Sequence, residues 1–586
     1  MSAFAVGVGY SRPCEPAVVE AVASSFSPWS RPRSHAVSDA VHILTTGEDA
    51  AAVPVGDGWV VGDALLAGRQ AGEPSVAELV APLTAPVDEA DRAARLAHTN
   101  GVFAAVYWDP RRRRITACRD FFGVRPLYFY RSREALWLST LPGALLAAAD
   151  AAGDSRAGLR PEGVFDRLIF GGQLDAGGTV WRHVERIAPG SLRRFDADAS
   201  METARPGLES PPVQRGLSEG AVAERVRAAL DASVGGRLDG CGRASVWMSG
   251  GLDSTAVAAS AAAVGADVVA HTVTYRRLNA DREGEWAARA ADHLGIAHRR
   301  HAVDEIRLFE RWDTLPVTPL PAEPELDAMY VDIDRASIEH SDVAMTGFGA
   351  DPLMLPERYG LWRGLARGGF SELWRSIRAF RRVGVRPPLG LATAWARFQT
   401  RRAPWRAPPW LSEDFAARVG AEERWRRFTD RAVSPRRGER AEARHHSTDL
   451  GWSELFEQLD AGVRGVPIRR RHPFFDLRVV DVLLGLPSMP WCLDKWALRI
   501  AQRGRLPDAV VRRPKTPLAG DPFPGHAVRP LEIWKTGLDK SPELGEFFDG
   551  PAMARLLESG SPAQEIWRQV GPALSLVAWR ARWDSR

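Results

Sequence analysis

The sequence predicts an α/β protein of two unlike parts, short antiparallel strands over residues 1–205 and a larger parallel α/β region over residues 206–586. Short aromatic-rich apolar runs near the N-terminus, separated by turn residues, have the spacing of antiparallel sheets. A Gly-, Pro- and Ser-rich stretch at residues 204–214 has little periodicity and reads as a linker. After residue 245 the pattern becomes strand, helix, strand, helix, which a parallel sheet requires. At 586 residues the chain is several times a domain of ~100–200 residues, so separate cores are expected.

Taken in order, residues 1–10 lack a basic segment and read as a first strand, not a signal peptide. Further strands are expected at 59–62, 102–108, 114–118, 127–130 and 135–139. A helix over 218–234 carries Val222, Val226, Leu230 and Val234 on one face. Strands at 245–248 and 268–275 then alternate with helices at 255–264 and 283–295, the latter with Trp286, Ala290, His293 and Leu294 on one side. Residues 353–450, rich in Trp, Arg and Pro, read as a mostly helical insertion.

Composition excludes several classes. No apolar run approaches the ~20 residues that cross a bilayer. Cys14, Cys118, Cys241 and Cys492 are scattered without CxxC pairing, which argues against structural zinc or a disulfide framework and for a reducing cytoplasm. With 77 basic and 73 acidic residues, net charge implies neither nucleic acid nor a membrane surface. The basic runs at 111–114 and 469–471 read as solvated faces. Lysine stands only at Lys495, Lys515, Lys535 and Lys540 in an arginine-rich chain, which suggests that some of them are kept where a compact ammonium is needed.

The sharpest signal is Ser249-Gly250-Gly251-Leu252-Asp253-Ser254, between an apolar strand and a helix. Glycines let the backbone approach an anion, helix-start N–H groups carry partial positive charge, and Ser249 and Ser254 add hydroxyl donors. The Gly-Lys-Ser/Thr ending of a Walker A loop is absent. The segment instead matches the pyrophosphate-binding SGGxDS loop of N-type ATP pyrophosphatases. Asp253 inside an anion site calls for Mg²⁺ bridging it to phosphates, with a second carboxylate from Asp351, after the glycine turn that follows Thr346. Backbone around Trp247, Val273 and Gly347 is placed to frame adenine at the carboxyl ends of the strands. His293, His298 and His301 fit no zinc spacing and read as surface or core histidines.

Over nearly its whole length the chain resembles the asparagine synthetase family. The N-terminal resemblance rests on residues 100–109, 118–128 and 138–140, the C-terminal one on 249–254, 346–351, 472–483, 495–499 and 506–515. It implies a glutaminase-like, Ntn-type β-sandwich α+β domain followed by an N-type ATP pyrophosphatase synthetase domain with a helical insertion. It also implies ATP and Mg²⁺ as cofactors, a phosphate contact for Lys495, and a charge-stabilising catalytic role for Lys515 beside Asp253 and Asp351.

The departures carry the functional expectation. Glutamine-using members have a nucleophilic Cys after Met1, whereas this chain has Ser2, and the Arg-Gly and Asn-Gly-Glu glutamine-holding motifs are missing. Residues 1–205 are therefore expected to be an inactive scaffold, with the accepting amine coming from elsewhere. Phe348 stands where asparagine synthetases carry Glu and β-lactam-forming enzymes a Tyr base. The Trp/Arg-rich insertion and Arg471-His472-Pro473-Phe474-Phe475-Asp476 look most like lasso peptide cyclases. That resemblance implies a precursor core peptide as substrate, an Asp or Glu side chain adenylated and joined to the N-terminal amine, with a leader peptidase and a leader-binding protein as companions. A small-molecule amide or β-lactam synthetase and a catalytically silent scaffold are the alternatives.

Overall fold

The computed structural model describes residues 2–26, 31–38, 40–67, 75–154, 158–197, 199–203, 207–208, 211–238, 240–275, 282–321, 326–357, 360–383, 391–433, 438–514, 530–559 and 563–585. The first part holds β1 (Ala3–Gly9), β2 (Arg33–Ser38), β3 (Val41–Thr46), β4 (Ala50–Val55), β5 (Gly58–Leu66), β6 (Gly101–Asp109), β7 (Arg114–Arg119), β8 (Tyr128–Arg131), β9 (Ala135–Ser139), β10 (Val184–Arg186), β11 (Leu192–Phe195) and β12 (Ser200–Thr203). They form two six-stranded sheets, ordered β10-β8-β9-β1-β3-β2 and β12-β11-β7-β6-β5-β4, with antiparallel pairing.

The inner faces meet through Phe4, Val6, Ile43, Val61, Val106, Ile115, Leu136 and Phe195. The outer faces are covered as well. Helices Pro16–Ser24 and Pro142–Ala151 pack on the first sheet, and the short helix Ser75–Leu79 with Glu89–Ala97 on the second. β1 is consequently buried along its whole length and apolar on both faces, as a strand between two covered faces must be. The result is the four-layer sandwich that the sequence resemblance implies. The last sandwich strand ends at Thr203; the expected boundary between residues 205 and 206 lies outside the described residues.

The second part is built on β13 (Arg243–Trp247), β14 (Asp267–Thr274), β15 (Ala297–Ala302), β16 (Val343–Met345) and β17 (Arg469–Arg471). The order β15-β14-β13-β16-β17 is parallel throughout. The chain steps outward from β13 to β15, then crosses back to lay β16 on the other side of β13. That reversal opens a crevice at the carboxyl ends of β13 and β16, where ligands of open parallel sheets bind. Helix Glu219–Leu238 buries the predicted Val222, Val226, Leu230 and Val234. Between β16 and β17 come the helices of the insertion, including Gly360–Val383, Leu391–Arg402, Ala421–Ala432 and Leu450–Leu459.

Local readings needed correction in two places. Helix Glu283–Leu294 buries Gly284, Ala287, Ala290 and Ala291, while His293 is exposed and Trp286 half-buried, because the small residues let the helix lie close to β14 and β15. The run 469–471 is no solvated face: it is strand β17, where Arg470 pairs with Asp334 and Arg471 with Asp49. Residues 111–113 do form an exposed turn.

The two parts share a core. Trp181 of the sandwich packs edge-on to Trp579 at 5.3 Å and donates its indole N–H to the Pro319 carbonyl at 2.6 Å. Asn100 donates to Asp476 at 2.9 Å and accepts the Leu477 N–H at 3.0 Å. No helix among the described residues is long and apolar enough to cross a membrane.

Candidate active site

The loop after β13 is held by contacts within the chain. The Met248 N–H donates to the His271 carbonyl at 2.9 Å, and the Thr272 hydroxyl donates to the Met248 carbonyl at 2.5 Å, so β14 fixes the departing chain. The Ser249 N–H donates to Ser254 Oγ at 3.1 Å and the Gly251 N–H to Ser249 Oγ at 3.4 Å. Gly251 caps helix Leu252–Ala263 with Asp253 in the first turn. Gly250 has φ +71°, and a Cβ there would lie 2.5 Å from the Glu283 carbonyl and 2.8 Å from Ala287 N. Only glycine meets both demands.

The loop after β16 lies directly against the first. A Cβ on Gly347 would sit 2.7 Å from Ser254 N. The Thr346 N–H donates to the Arg471 carbonyl at 3.1 Å, and its hydroxyl lies 2.7 Å from His472 Nδ1. Burial drives the His472 pKa well below its ordinary value, so the ring is a neutral partner. Gly349, at φ +100°, turns the chain into helix Ala350–Leu353, which carries Asp351 in its first turn.

Lys495 joins the two loops: Nζ lies 2.5 Å from Asp253 Oδ2 and 2.7 Å from Asp351 Oδ1. The lysine arrives on an unusual turn, with Asp494 at φ +48° and Lys495 at φ +55°. Two successive non-glycine residues in the left-handed region cost about 1–3 kcal/mol each unless their surroundings hold them. Arg499 holds them here, donating through Nε to the Asp494 carbonyl at 2.7 Å and through Nη2 to its carboxylate at 2.8 Å. Two carboxylates from separate loops thus converge on one cation position, and Mg²⁺ is bound by one or two carboxylates completed by phosphate oxygens. Asp253 and Asp351 fit that ion.

Two cavities meet at this point. One, of about 400 Å³, is charged and lined by Ser249, Asp253, Asp351, Lys495, Arg499 and Arg513. The other, of about 410 Å³, is aromatic and apolar, lined among others by Trp247, Val273, Tyr330, Gly347, Phe348 and Trp452. Trp247 stacks on Tyr330 at 6.0 Å, backed by the Arg470 guanidinium 4.7 Å from the Trp247 ring and that of Arg464 4.3 Å from the Tyr330 ring. The fold therefore brings together Ser249, Gly250, Gly251, Asp253, Ser254, Trp247, Val273, Thr346, Gly347, Asp351 and Lys495. Lys515 lies outside the described residues.

Sequence reasoning did not single out Tyr330 or Glu283, and it carried Arg513 and His472 only inside the segments of resemblance, with no role at the site. Arg513 donates to the Gly250 carbonyl at 3.0 Å; its signal was proximity to Lys515. Tyr330 reaches the site only through tertiary packing of helix Asp327–Ile338. His298 and His301 hydrogen-bond to Thr272 and His271 at 2.9 and 3.0 Å; burial, then neighbouring His301, pushes the His271 pKa down to about 3.

A third cavity, at Ser2, holds only about 40 Å³. Ser2 is 5% exposed and its Oγ accepts the Asp49 N–H at 3.0 Å. The Arg125 guanidinium fills the adjoining space, donating to the Ser2 carbonyl, to Asp63 at 2.5 Å and to Asp460 at 2.6 Å. Burial raises the Asp63 carboxyl against the pull of Arg125; burial also acts on Asp49, but Arg471 and Arg469 hold it below its ordinary range.

Residues 225–581 match the asparagine synthase family, and residues 73–147 match a glutamine amidotransferase domain. A putative glutamine-hydrolysing asparagine synthetase of Mycobacterium tuberculosis is 25% identical over 531 residues, covering 83% of this chain and 77% of its own. A glutamine-hydrolysing asparagine synthetase of Bacillus subtilis is 22% identical over 494 residues, covering 80% and 76%. Among solved structures, glutamine phosphoribosylpyrophosphate amidotransferase of Bacillus subtilis overlaps 51% of this chain and 65% of its own at 10% identity and a TM-score of 0.22. With residues 225–581, more than half its length, matched and the parallel sheet in place, the chain belongs to the asparagine synthase family of ATP-dependent amide-forming ligases.

Proposed function

We propose that this protein is an AMP-forming macrolactam ligase of lasso peptide cyclase type, which adenylates an Asp or Glu side chain of a precursor peptide and joins it to the peptide's N-terminal amine. The observation that carries this reading is the 40 Å³ space at Ser2, where Arg125, Asp63 and Asp460 stand in place of an open glutamine pocket. Ammonia released from glutamine is then not the nucleophile, and the amine comes from the substrate side.

In this reading the peptide carboxylate attacks the α-phosphorus of ATP and pyrophosphate leaves. The N–H groups at the start of helix Leu252–Ala263 and Lys495 receive the phosphate charge. Mg²⁺ held by Asp253 and Asp351 supplies electrostatic neutralisation of the phosphates when bound. The aromatic walls Trp247, Tyr330 and Trp452 shield the acyl-adenylate from water. The amine then attacks the acyl carbon, the acyl–phosphate C–O bond breaks, AMP leaves and the amine gives up a proton, and Lys515 is the residue proposed to face the developing oxyanion. Phe348 supplies no base, which an N-terminal amine of pKa ~7.7–8.0 tolerates because much of it is neutral near pH 7.5, and holding both ends together supplies the acceleration.

The test is pyrophosphate release from ATP and Mg²⁺ with a linear core peptide encoded beside the gene, read together with intact mass. The expected result is pyrophosphate accompanied by a peptide lighter by one water. Release with a small carboxylate and amine, and none with peptide, would make the protein a small-molecule amide synthetase; no release with either would make it a scaffold.

A further inference from the structure

Lys495 stands where the metal is needed. Its ammonium is shared between Asp253 Oδ2 at 2.5 Å and Asp351 Oδ1 at 2.7 Å, the same two carboxylates that fit Mg²⁺. The two cations contend for the same pair of carboxylates. Mg²⁺ takes carboxylate oxygens at ~2.0–2.1 Å, which would press a divalent cation against the ammonium inside a partly buried site. The backbone does not offer the lysine a retreat, because Arg499 pins the left-handed Asp494–Lys495 turn at two points. Only the side chain can swing, and the charged cavity it lines leads to Ser249 and Gly251 of the phosphate loop.

Resting on the adenylating reading but not on the identity of the acyl substrate, we infer that Lys495 is a resident counter-cation that excludes the metal until nucleotide arrives. In the nucleotide-free protein it neutralises Asp253 and Asp351. Phosphate oxygens entering with ATP offer the ammonium a second set of partners, and its movement frees the carboxylates for the ion that accompanies the nucleotide. Metal and nucleotide are thereby coupled: each binds better with the other, and a free divalent ion gains little hold alone. Lys495 is in this respect a positioning residue as well as a phosphate contact.

Mn²⁺ binding to the nucleotide-free protein, followed by the loss of the free-ion electron paramagnetic resonance signal, tests the inference without turnover or peptide. Lys495→Met should raise Mn²⁺ affinity ~10-fold or more, since it removes a like charge from the site, whereas Lys495→Arg should stay as weak as wild type. Equal or weaker Mn²⁺ binding by a folded Lys495→Met protein would overturn it. Should Lys495→Met not fold, wild-type protein labelled with [¹³Cε]lysine has only four lysine signals to follow. The Lys495 signal, assigned by its loss in Lys495→Arg, should stay unchanged with Mg²⁺ alone and shift with Mg²⁺ plus a non-hydrolysable ATP analogue. A shift with Mg²⁺ alone, or none with both, would refute the coupling. Failure of the peptide assay touches neither measurement.

Discussion

Asp351 is half in solvent, its side chain 55% exposed, so its ion pair with Lys495 stabilises the fold little. In the proposed reaction it is the charge of the two aspartates that matters. Asp253→Asn and Asp351→Asn should each lower pyrophosphate release ~100–1,000-fold, the scale of losing one preorganised electrostatic contact, with the melting temperature of Asp351→Asn nearly unchanged in a thermal scan. Gly347→Ala should behave differently, because its Cβ would sit 2.7 Å from Ser254 N and force the two loops apart. A stability loss of about 1–3 kcal/mol by denaturant titration, together with weaker ATP binding by calorimetry, is expected. At this scale the sequence was informative about identity and silent about pairing. The scarcity of lysine marked Lys495, and the Gly-Gly-x-Asp-Ser pattern marked the loop. That Lys495 closes on Asp253 across 242 residues depends on a sheet topology that no local pattern encodes.

Among the elements, the helix starting at Leu477 is the clearest strut between the two parts. Its N-cap Asp476 is 1% exposed and accepts from Arg237 at 2.6 Å, Arg478 at 2.9 Å and Asn100 at 2.9 Å. Burial alone would raise this carboxyl, but hydrogen bonds from Arg478 and the charge of Arg237 outweigh it and hold the pKa well below the ordinary carboxylate range. A folded pKa below the unfolded one gives stability that is complete above the unfolded value of ~3.9 and lost as pH falls through it toward the folded value. Wild-type stability measured by urea unfolding should therefore begin to drop as pH falls to about 4 and go on dropping below about pH 3. Asp476→Asn should lie about 3–5 kcal/mol lower at pH 7, since it strands Arg237 in the interior, and should show less of that acid-side decline. The helices and central strands around this strut were legible because apolar periodicity carries them. β17 was not: three arginines resemble a surface until Asp49, Asp334 and Asp342 arrive from elsewhere in the chain.

For the whole molecule, the interface is too apolar to be optional. Trp181, Phe165 and Leu145 of the sandwich join Trp410, Trp534 and Trp579 in one buried cluster. Residues 206–586 produced alone should expose it and aggregate, which size-exclusion chromatography would show; a monodisperse, ATP-binding fragment would contradict this. The two-part plan was readable from the switch between strand spacing and βα alternation. The way the sandwich docks was not, because its contacts are single tryptophans and arginines without periodicity. The 40 Å³ space at Ser2 has a pharmacological consequence. Electrophilic glutamine mimics find their targets by first lodging in a roomy pocket beside a nucleophile, and here the guanidinium of Arg125 occupies that berth. Such reagents should leave Ser2 unlabelled in a proteome-wide survey while marking amidotransferases around it, so this ligase would keep working in cells whose glutamine-fed enzymes have been silenced.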